Sequence, residues 1–205
     1  MAERGRPRNF DRTQALEGAL MAFWRKGFEA TSMNDLVRAM GINSPSIYAA
    51  FGSKEALFGE TVRLYNTAYA DGLLQALTNT PDAASGVSAM FEAAVELFTR
   101  PNLPGGCFVV TSIASNAPNG PETEQTLKQL RQERSEQIGK RLVEDMRCGR
   151  LRDDTPIQEL SDLYAAILQG LAQAARDGVG KERLTKLSEH STNLIAPWIV
   201  DGSLR

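Results

Sequence analysis

The sequence predicts an all-α protein: three short N-terminal helices followed by a larger helical body. Three observations predict it. Apolar residues return at i, i+3, i+4 and i+7 along nearly the whole chain, the spacing of one helix face. Side chains that cap helix starts (Asp11, Ser32, Ser44, Ser53) stand ahead of those runs. Strand-like segments are almost missing. Residues 107–114 (CFVVTSIA) are the ambiguous case, because β-branching suits a strand. With helical surroundings and no strand to pair with, they read as a buried helix.

The elements follow in order. Asp11, with Gln14 three residues on, opens a helix whose Leu16, Ala19, Leu20, Phe23 and Trp24 share a face, and Gly27 is a fitting stop. Ser32 and Asp35 form a second capping signal for Met33, Leu36, Val37 and Met40, a face that Gly41 interrupts. Ser44 then Pro45 reads as a cap followed by proline at the first helical position, and Ile47, Tyr48 and Phe51 continue that helix. Ser53 caps a long fourth helix with Leu57, Phe58, Val62, Tyr65, Tyr69, Leu73 and Leu77 along one side, ended by Asn79-Thr80-Pro81-Asp82. A helix from about Ser85 to Thr99 follows, with Val87, Met90, Phe91, Ala94, Val95 and Phe98 inward. Residues 122–147 form a long charged helix with a sparse apolar side. After Pro156, Leu160, Leu163, Tyr164, Ile167, Leu168 and Leu171 mark another helix, and Leu184, Leu187, Leu194 and Ile195 mark the last, about 181–196. The chain thus divides into a basic arm over 1–8, a three-helix unit over 9–53 and a helical body over 54–205.

Composition narrows the class. With 205 residues, 42% hydrophobic and 23% charged, the chain is globular rather than disordered. No apolar run approaches the ~18 residues of a membrane span. Residues 1–20 hold four Arg and no apolar block of signal-peptide length. Cys107 and Cys148 build no disulfide framework. These features predict a cytoplasmic protein without a membrane partner. The net charge is −2, yet residues 1–65 carry nine Lys and Arg against seven acids, and the remainder is acidic. A basic end on an acidic body suits a small local DNA contact. An offset of this size also arises by chance.

Signatures of chemistry are missing. His190 is the single histidine, and the two cysteines are far apart, so neither a His-rich nor a CxxC metal site is formed. Neither G-x-S-x-G nor G-x-G-x-x-G occurs, and Gly180-Lys181 fails as a phosphate loop because Ala175 and Glu182 stand at its ends. No catalytic residue, metal or cofactor is assigned.

What remains is the 31–54 segment. Two helices of about eight residues around a turn holding Gly41 have the helix-turn-helix arrangement. Such short helices need the first helix and the start of the fourth to complete a core, supplied by Leu16, Leu20, Phe23, Leu36, Val37, Ile47, Phe51 and Leu57. The exposed positions of the second short helix are small (Asn43, Ser44, Ser46, Ala49, Ala50), which lets it sit deep in a major groove. Ser and Asn bond base edges or phosphates, and Tyr48 and Lys54 reach phosphates. The alternative is a plain helical hairpin in a small-molecule-binding protein or enzyme.

Residues 27–58, GFEATSMNDLVRAMGINSPSIYAAFGSKEALF, resemble the DNA-binding domain of the TetR/AcrR family of bacterial one-component regulators. The matching features are Gly27-Phe28, Thr31-Ser32, Asp35-Leu36, Ala39, Gly41, Ile47-Tyr48, Phe51, Lys54 and Leu57, in order and without gaps. The resemblance implies a repressor that binds double-stranded operator DNA as a homodimer and is released by a small-molecule effector of unknown identity. It implies that Thr31 or Ser32 starts the second helix and touches phosphate, that Ser44 to Ala50 enter the groove, and that Tyr48 and Lys54 grip the backbone. Many relatives carry a larger residue at positions 49–50. With Ala49-Ala50 here, base reading shifts toward Asn43, Ser44, Pro45, Ser46 and the arm.

Two-fold DNA sites call for two readers. The dimer interface is expected on the 157–177 and 181–199 helices, at Leu160, Leu163, Ile167, Leu184, Leu187 and Leu194, although these faces also read as monomer core. The resemblance further implies an effector pocket, expected to be lined by Phe91, Val95, Phe98, Cys107, Phe108, Thr111, Tyr164, Leu168 and Leu171. Cys107, after Pro104-Gly105-Gly106, has two readings: a reactive thiol at a helix N-terminus, or a small buried hydrophobe, and packing is the commoner role. In the arm, Arg4-Gly5-Arg6-Pro7-Arg8 matches the Arg-Gly-Arg-Pro core of an AT-hook, whose extended strand fits a narrow A·T minor groove. Deleting residues 1–8 should therefore weaken operator binding and flatten its salt dependence, because groove and phosphate contacts release counterions. A salt series of anisotropy titrations checks this, and an unchanged affinity and slope would remove the arm from the mechanism.

Overall fold

The computed structural model describes residues 10–114 and 121–200. The regular elements among them are helices, joined by one isolated bridge between Leu151 and Ile199. Helix α1 (Arg12–Lys26) starts at Asp11, whose carboxylate accepts the amides of Thr13 and Gln14 at 2.8 and 3.2 Å. Helix α2 (Met33–Met40) carries the full capping box of Ser32 and Asp35 and closes on Gly41 at φ 67°, a left-handed turn that suits a residue without Cβ. Helix α3 (Ser44–Phe51) starts one residue earlier than the sequence suggests. Asn43 has the extended backbone of a cap and accepts the Ser46 amide at 2.9 Å, so Ser44 and Pro45 are the first two helical residues. Proline is harmless at the second position too, since that amide has no partner within the helix.

These helices close around the start of α4 (Lys54–Tyr65), capped by Ser53. Leu20, Phe23, Leu36, Ile47, Phe51 and Leu57 are buried as expected, while Leu16 and Val37 are partly covered. α1 and α2 touch backbone to backbone. A Cβ at Gly18 would lie 2.2 Å from the Ala39 carbonyl oxygen, so only glycine fits.

The long fourth helix is a rod with a wide turn in it. α4 passes through a π-helical segment, Asn66–Ala70, into α5 (Asp71–Thr78). Single π-turns of this kind re-aim side chains without ending a helix. Here Tyr65 and Tyr69 stack at 5.7 Å, and both meet the ring of Trp24.

The body continues with α6 (Ala83–Phe98), α7 (Phe108–Ala114), α8 (Pro121–Arg147), α9 (Ile157–Arg176) and α10 (Lys181–Thr192). Asp82 caps α6, which starts at Ala83, two residues before the expected start at Ser85. The ambiguous 107–114 segment is helical from Phe108. The final helix tightens into a 3₁₀ segment, Asn193–Trp198, which contains Pro197.

α9 corrects part of the expected dimer face. Leu160, Tyr164, Leu168 and Leu171 form its inward stripe, so Leu160 belongs to the protomer's own core, as does Leu184 of α10. Leu163 and Leu187 stay 44% and 45% exposed, Leu194 37%, and Ile167 is half-buried. A residue sealed inside one protomer has no surface to offer a second.

A buried ion cluster ties α8 to the turn between α5 and α6. Asp145 is 1% exposed; its carboxylate accepts the Ala83 amide at 2.5 Å, Arg141 at 2.7 Å and Arg150 at 2.8 and 2.9 Å. Arg141 also donates to the Thr80 carbonyl. Burial pushes the Asp145 carboxyl up, but hydrogen bonds from Arg150, Ala83 and Arg141 outweigh it and hold the group below the ordinary carboxylate range. A lowered folded-state pKa means stability present at neutral pH and lost as pH falls through the folded value. Asp145→Asn should lower unfolding stability by about 3 kcal/mol, the usual cost of stranding a buried partner. It should also remove this residue's share of the loss below about pH 4. Denaturant titrations of both proteins at neutral and acid pH check both statements.

Candidate nucleic-acid interface

α3 presents one locked face and one open face. Ile47 and Phe51 are buried, while Pro45 and Ala49 are exposed and Ser44, Ser46 and Ala50 are half-buried. Tyr48 stands 48% exposed on the same side, a large aromatic in water beside small neighbours. The Asn43 carbonyl oxygen is committed to the cap, which leaves its amide nitrogen as the group facing outward chemistry.

Two cations stand beside this helix, and Arg12 braces it. The Arg12 guanidinium lies 4.3 Å over the Phe51 ring, pairs with Glu60 at 2.7 Å and reaches the Ala50 carbonyl at 3.4 Å. It therefore ties α1, α3 and α4 together. The Lys54 ammonium sits 4.4 Å above the Phe28 ring, at the first position of α4. That contact pre-sets the side chain at the edge of the unit.

α2 contributes its N-terminus. Ser32 is exposed, accepts the Asp35 amide and donates its hydroxyl to the Asp35 carboxylate at 2.8 Å. Lys26 and Arg38 both pair with that carboxylate at 2.8 Å, and the Lys26 and Ser32 hydrogen bonds hold it far below the ordinary range. Thr31, expected as a phosphate contact, is fully buried, and its hydroxyl donates to the Gly27 carbonyl at 2.6 Å. It fixes the approach to α2 and offers no surface to a ligand. Arg4, Arg6 and Arg8 lie outside the described residues.

The reading unit is joined to the body at the end of α1. The fully buried Trp24 donates its indole N–H to the Gly105 carbonyl at 3.2 Å. Its ring meets Tyr65 edge-on at 4.9 Å and Phe108 at 6.2 Å. From the last turn of α9, Arg176 donates to the Trp24 and Arg25 carbonyls at 2.9 and 2.8 Å. The carbonyls at a helix C-terminus lack partners within the helix, and a cation there also complements the helix dipole. Trp24 was expected only as core, and neither periodicity nor spacing assigns Arg176 a role.

The expected effector residues are core side chains. Phe91, Val95, Phe98, Cys107, Phe108, Tyr164, Leu168 and Leu171 are all buried, and the Thr111 side chain lies outside the described residues. Phe91 meets Tyr164 at 6.0 Å. Cys107 and Phe108 join the aromatic joint, where the Tyr65 hydroxyl donates to the Cys107 sulfur at 3.3 Å. An open cleft lies elsewhere, between α6 and α10, walled by Glu92, Glu96, Lys181 and Thr185, and of the expected set it takes in only Val95. Among the described residues no helix is long and apolar enough to cross a membrane.

Comparison with known proteins agrees with this architecture. Residues 15–61 match the model described as bacterial regulatory proteins, tetR family, and residues 62–189 match the tetracyclin repressor-like C-terminal domain. The HTH-type transcriptional repressor ComR of Escherichia coli is 31% identical over 186 residues, covering 90% of this chain and 89% of that protein. BdcR, another HTH-type transcriptional repressor of Escherichia coli, is 28% identical, covering 88% and 86%. Among solved structures, a cysteine-substituted TetR family transcriptional regulator, CifR, bound to a 26 bp double-strand operator DNA, superposes with TM-score 0.89 and 36% identity, over 93% of this chain and 100% of that one. With a three-helix reader, a rod leading from it into a helical body, and family matches over both parts, the chain belongs to the tetR family of bacterial regulatory proteins.

Proposed function

We propose that this protein is a homodimeric transcriptional repressor that sets two α3 helices into successive major grooves of an operator and leaves the DNA when a small molecule binds its body. The observation that carries the reading is the asymmetry of α3: a buried apolar face beside an open face of small residues and one exposed tyrosine. Small side chains allow close approach to base edges, where Ser44 and Ser46 hydroxyls and the Asn43 amide offer hydrogen bonds. Tyr48, Lys54 and Ser32 border that face and are the groups for phosphate. The arm residues Arg4, Arg6 and Arg8 would follow the adjacent minor groove. The reading unit is residues 9–53 and the body 54–205. The protein acts in the cytoplasm, where the operator is.

The second protomer docks on the exposed apolar residues of α9 and of the C-terminal segment: Leu163, Leu187 and Leu194, with half-buried Ile167. Exposed leucines on two packed helices are a surface that a second copy would cover. A two-fold axis there sets the readers about one helical turn of DNA apart, roughly 34 Å.

The test is an anisotropy titration of the purified protein against DNA flanking its own gene, with scrambled competitor and a salt series. Tight, competitor-resistant binding with a steep salt slope is expected. Tyr48→Ala should weaken it about tenfold or more at unchanged Tm, because the side chain is exposed. Lys54→Ala should weaken specific and scrambled binding alike and reduce the salt slope by about one. Equal binding of operator and scrambled DNA by the wild-type protein would defeat the reading.

A further inference from the structure

Arg176 aims its guanidinium at main chain rather than at a counter-charge. Its Nη1 donates to the Trp24 carbonyl at 2.9 Å and its Nη2 to the Arg25 carbonyl at 2.8 Å. Two nitrogens on two successive carbonyls make a fork, which fixes orientation as well as distance; a lysine ammonium is a point charge and fixes distance alone. Among the described residues no carboxylate stands within ion-pair distance of Arg176. Both carbonyls belong to the last turn of α1, where the helix has no further amides to offer them.

The loop ahead of α7 is pressed between the same two helix ends. Its Gly105 carbonyl takes the Trp24 indole N–H at 3.2 Å. Gly106 is buried at φ 64°, and its amide donates to the Phe98 carbonyl at 3.0 Å. A Cβ at Gly106 would lie 2.5 Å from the Ala172 carbonyl oxygen and 3.3 Å from the Arg176 Cβ. Only glycine lets α9 come this near, and that nearness brings the Arg176 side chain within reach of α1.

α9 runs from Ile157 to Arg176 as one helix. Exposed Leu163 and half-buried Ile167 stand on it thirteen and nine residues before Arg176, about 20 and 14 Å along the axis. We infer that Arg176 is a positioning residue for DNA reading: its fork on the end of α1 fixes each reader relative to the helix at the dimer face, and so sets which half-site spacing the protein accepts. The inference rests on the homodimeric repressor reading. Without the fork each reader swings about its remaining contacts, and only a fraction of dimers hold both α3 helices at groove spacing. Apparent affinity falls by that fraction, and the penalty for a wrongly spaced site falls with it.

The experiment uses the full-length protein and three DNAs: the operator found in the titration above, the same operator with one base pair inserted at its centre, and a single half-site. The insertion moves the half-sites about 3.4 Å apart and turns them by roughly a tenth of a helical turn. Wild type should bind the inserted operator about tenfold or more weakly than the native one. Arg176→Met should bind the native operator about tenfold more weakly and cut the spacing penalty to about threefold or less. Its half-site affinity and salt slope should stay as in wild type, because no phosphate contact is lost. Arg176→Lys, with the charge but not the fork, should fall between. Arg152→Met, which removes an exposed arginine paired with Asp154, should match wild type. A lowered Tm with an unchanged spacing penalty makes Arg176 a stabilising residue only and overturns the proposal. A second measurement needs no DNA. Nitroxides on Ala49→Cys, in a Cys148→Ser background that leaves only the buried Cys107, report the distance between the two α3 helices by pulsed electron spin resonance. Wild type should give one narrow distribution, and Arg176→Met one about twice as wide or more. Equal widths overturn the proposal, as does a wild-type protein that is a monomer. Widths that differ in a protein that binds no operator keep the positioning role and defeat the repressor reading instead.

Discussion

The contact on which the rest depends is the burial of Trp24 at the end of α1. One side chain touches Tyr65 and Tyr69 of the rod and Phe108 of α7, and its N–H is held by Gly105. Arg176 closes the adjacent main-chain carbonyls from α9. Four parts of the body therefore hold one turn of the reading unit. Packed aromatic contacts are not continuously deformable; they repack or they hold. Any body rearrangement that repacks this cluster must re-aim α1, and α1 carries α2 through the backbone contact at Gly18.

The rod from Lys54 to Thr78 is the second connection, and its wide turn lies beside the first. Without the π-segment, Tyr65 and Tyr69 would stand on a regular helix with a different angular spacing. With it, they stack on each other and meet Trp24 together. An effector shifts the dimer off DNA only by its differential affinity for two arrangements. A joint of stacked rings at the end of a lever is a place where two arrangements differ in contacts rather than in strain.

Much of this was legible in the sequence because it is local. Capping at Asp11, Ser32 and Ser53, the glycine stops, and the helical faces are set by neighbours within four residues. The reading helix was placed by the same signals, and its cap was missed by one residue because Asn43 and Ser44 are both good capping residues and the choice between them is a matter of backbone angles. Thr31 was misjudged since a threonine beside a cap looks exposed in sequence, whereas the packing of α1 against α2 buries it. Leu160 and Leu163 differ by three residues on one helix, and which of them faces out depends on where the body lies. Arg176, 151 and 152 residues from the carbonyls it holds, carries no local signal at all.

α9 serves two purposes with its two faces and its end. Inward it supplies Leu160, Tyr164, Leu168 and Leu171 to the core, and outward it shows Leu163. Its last turn carries Arg176. In the dimer proposed above, this helix would border the two-fold axis while its end grips α1. The distance between the two readers is then set by one rigid element per protomer rather than by a chain of flexible links. A small tilt of α9 against the axis would be multiplied at α3 by the length of the path between them. Groove spacing tolerates little error, so in that dimer the packing of α9 against the end of α1 would govern the spacing of the readers.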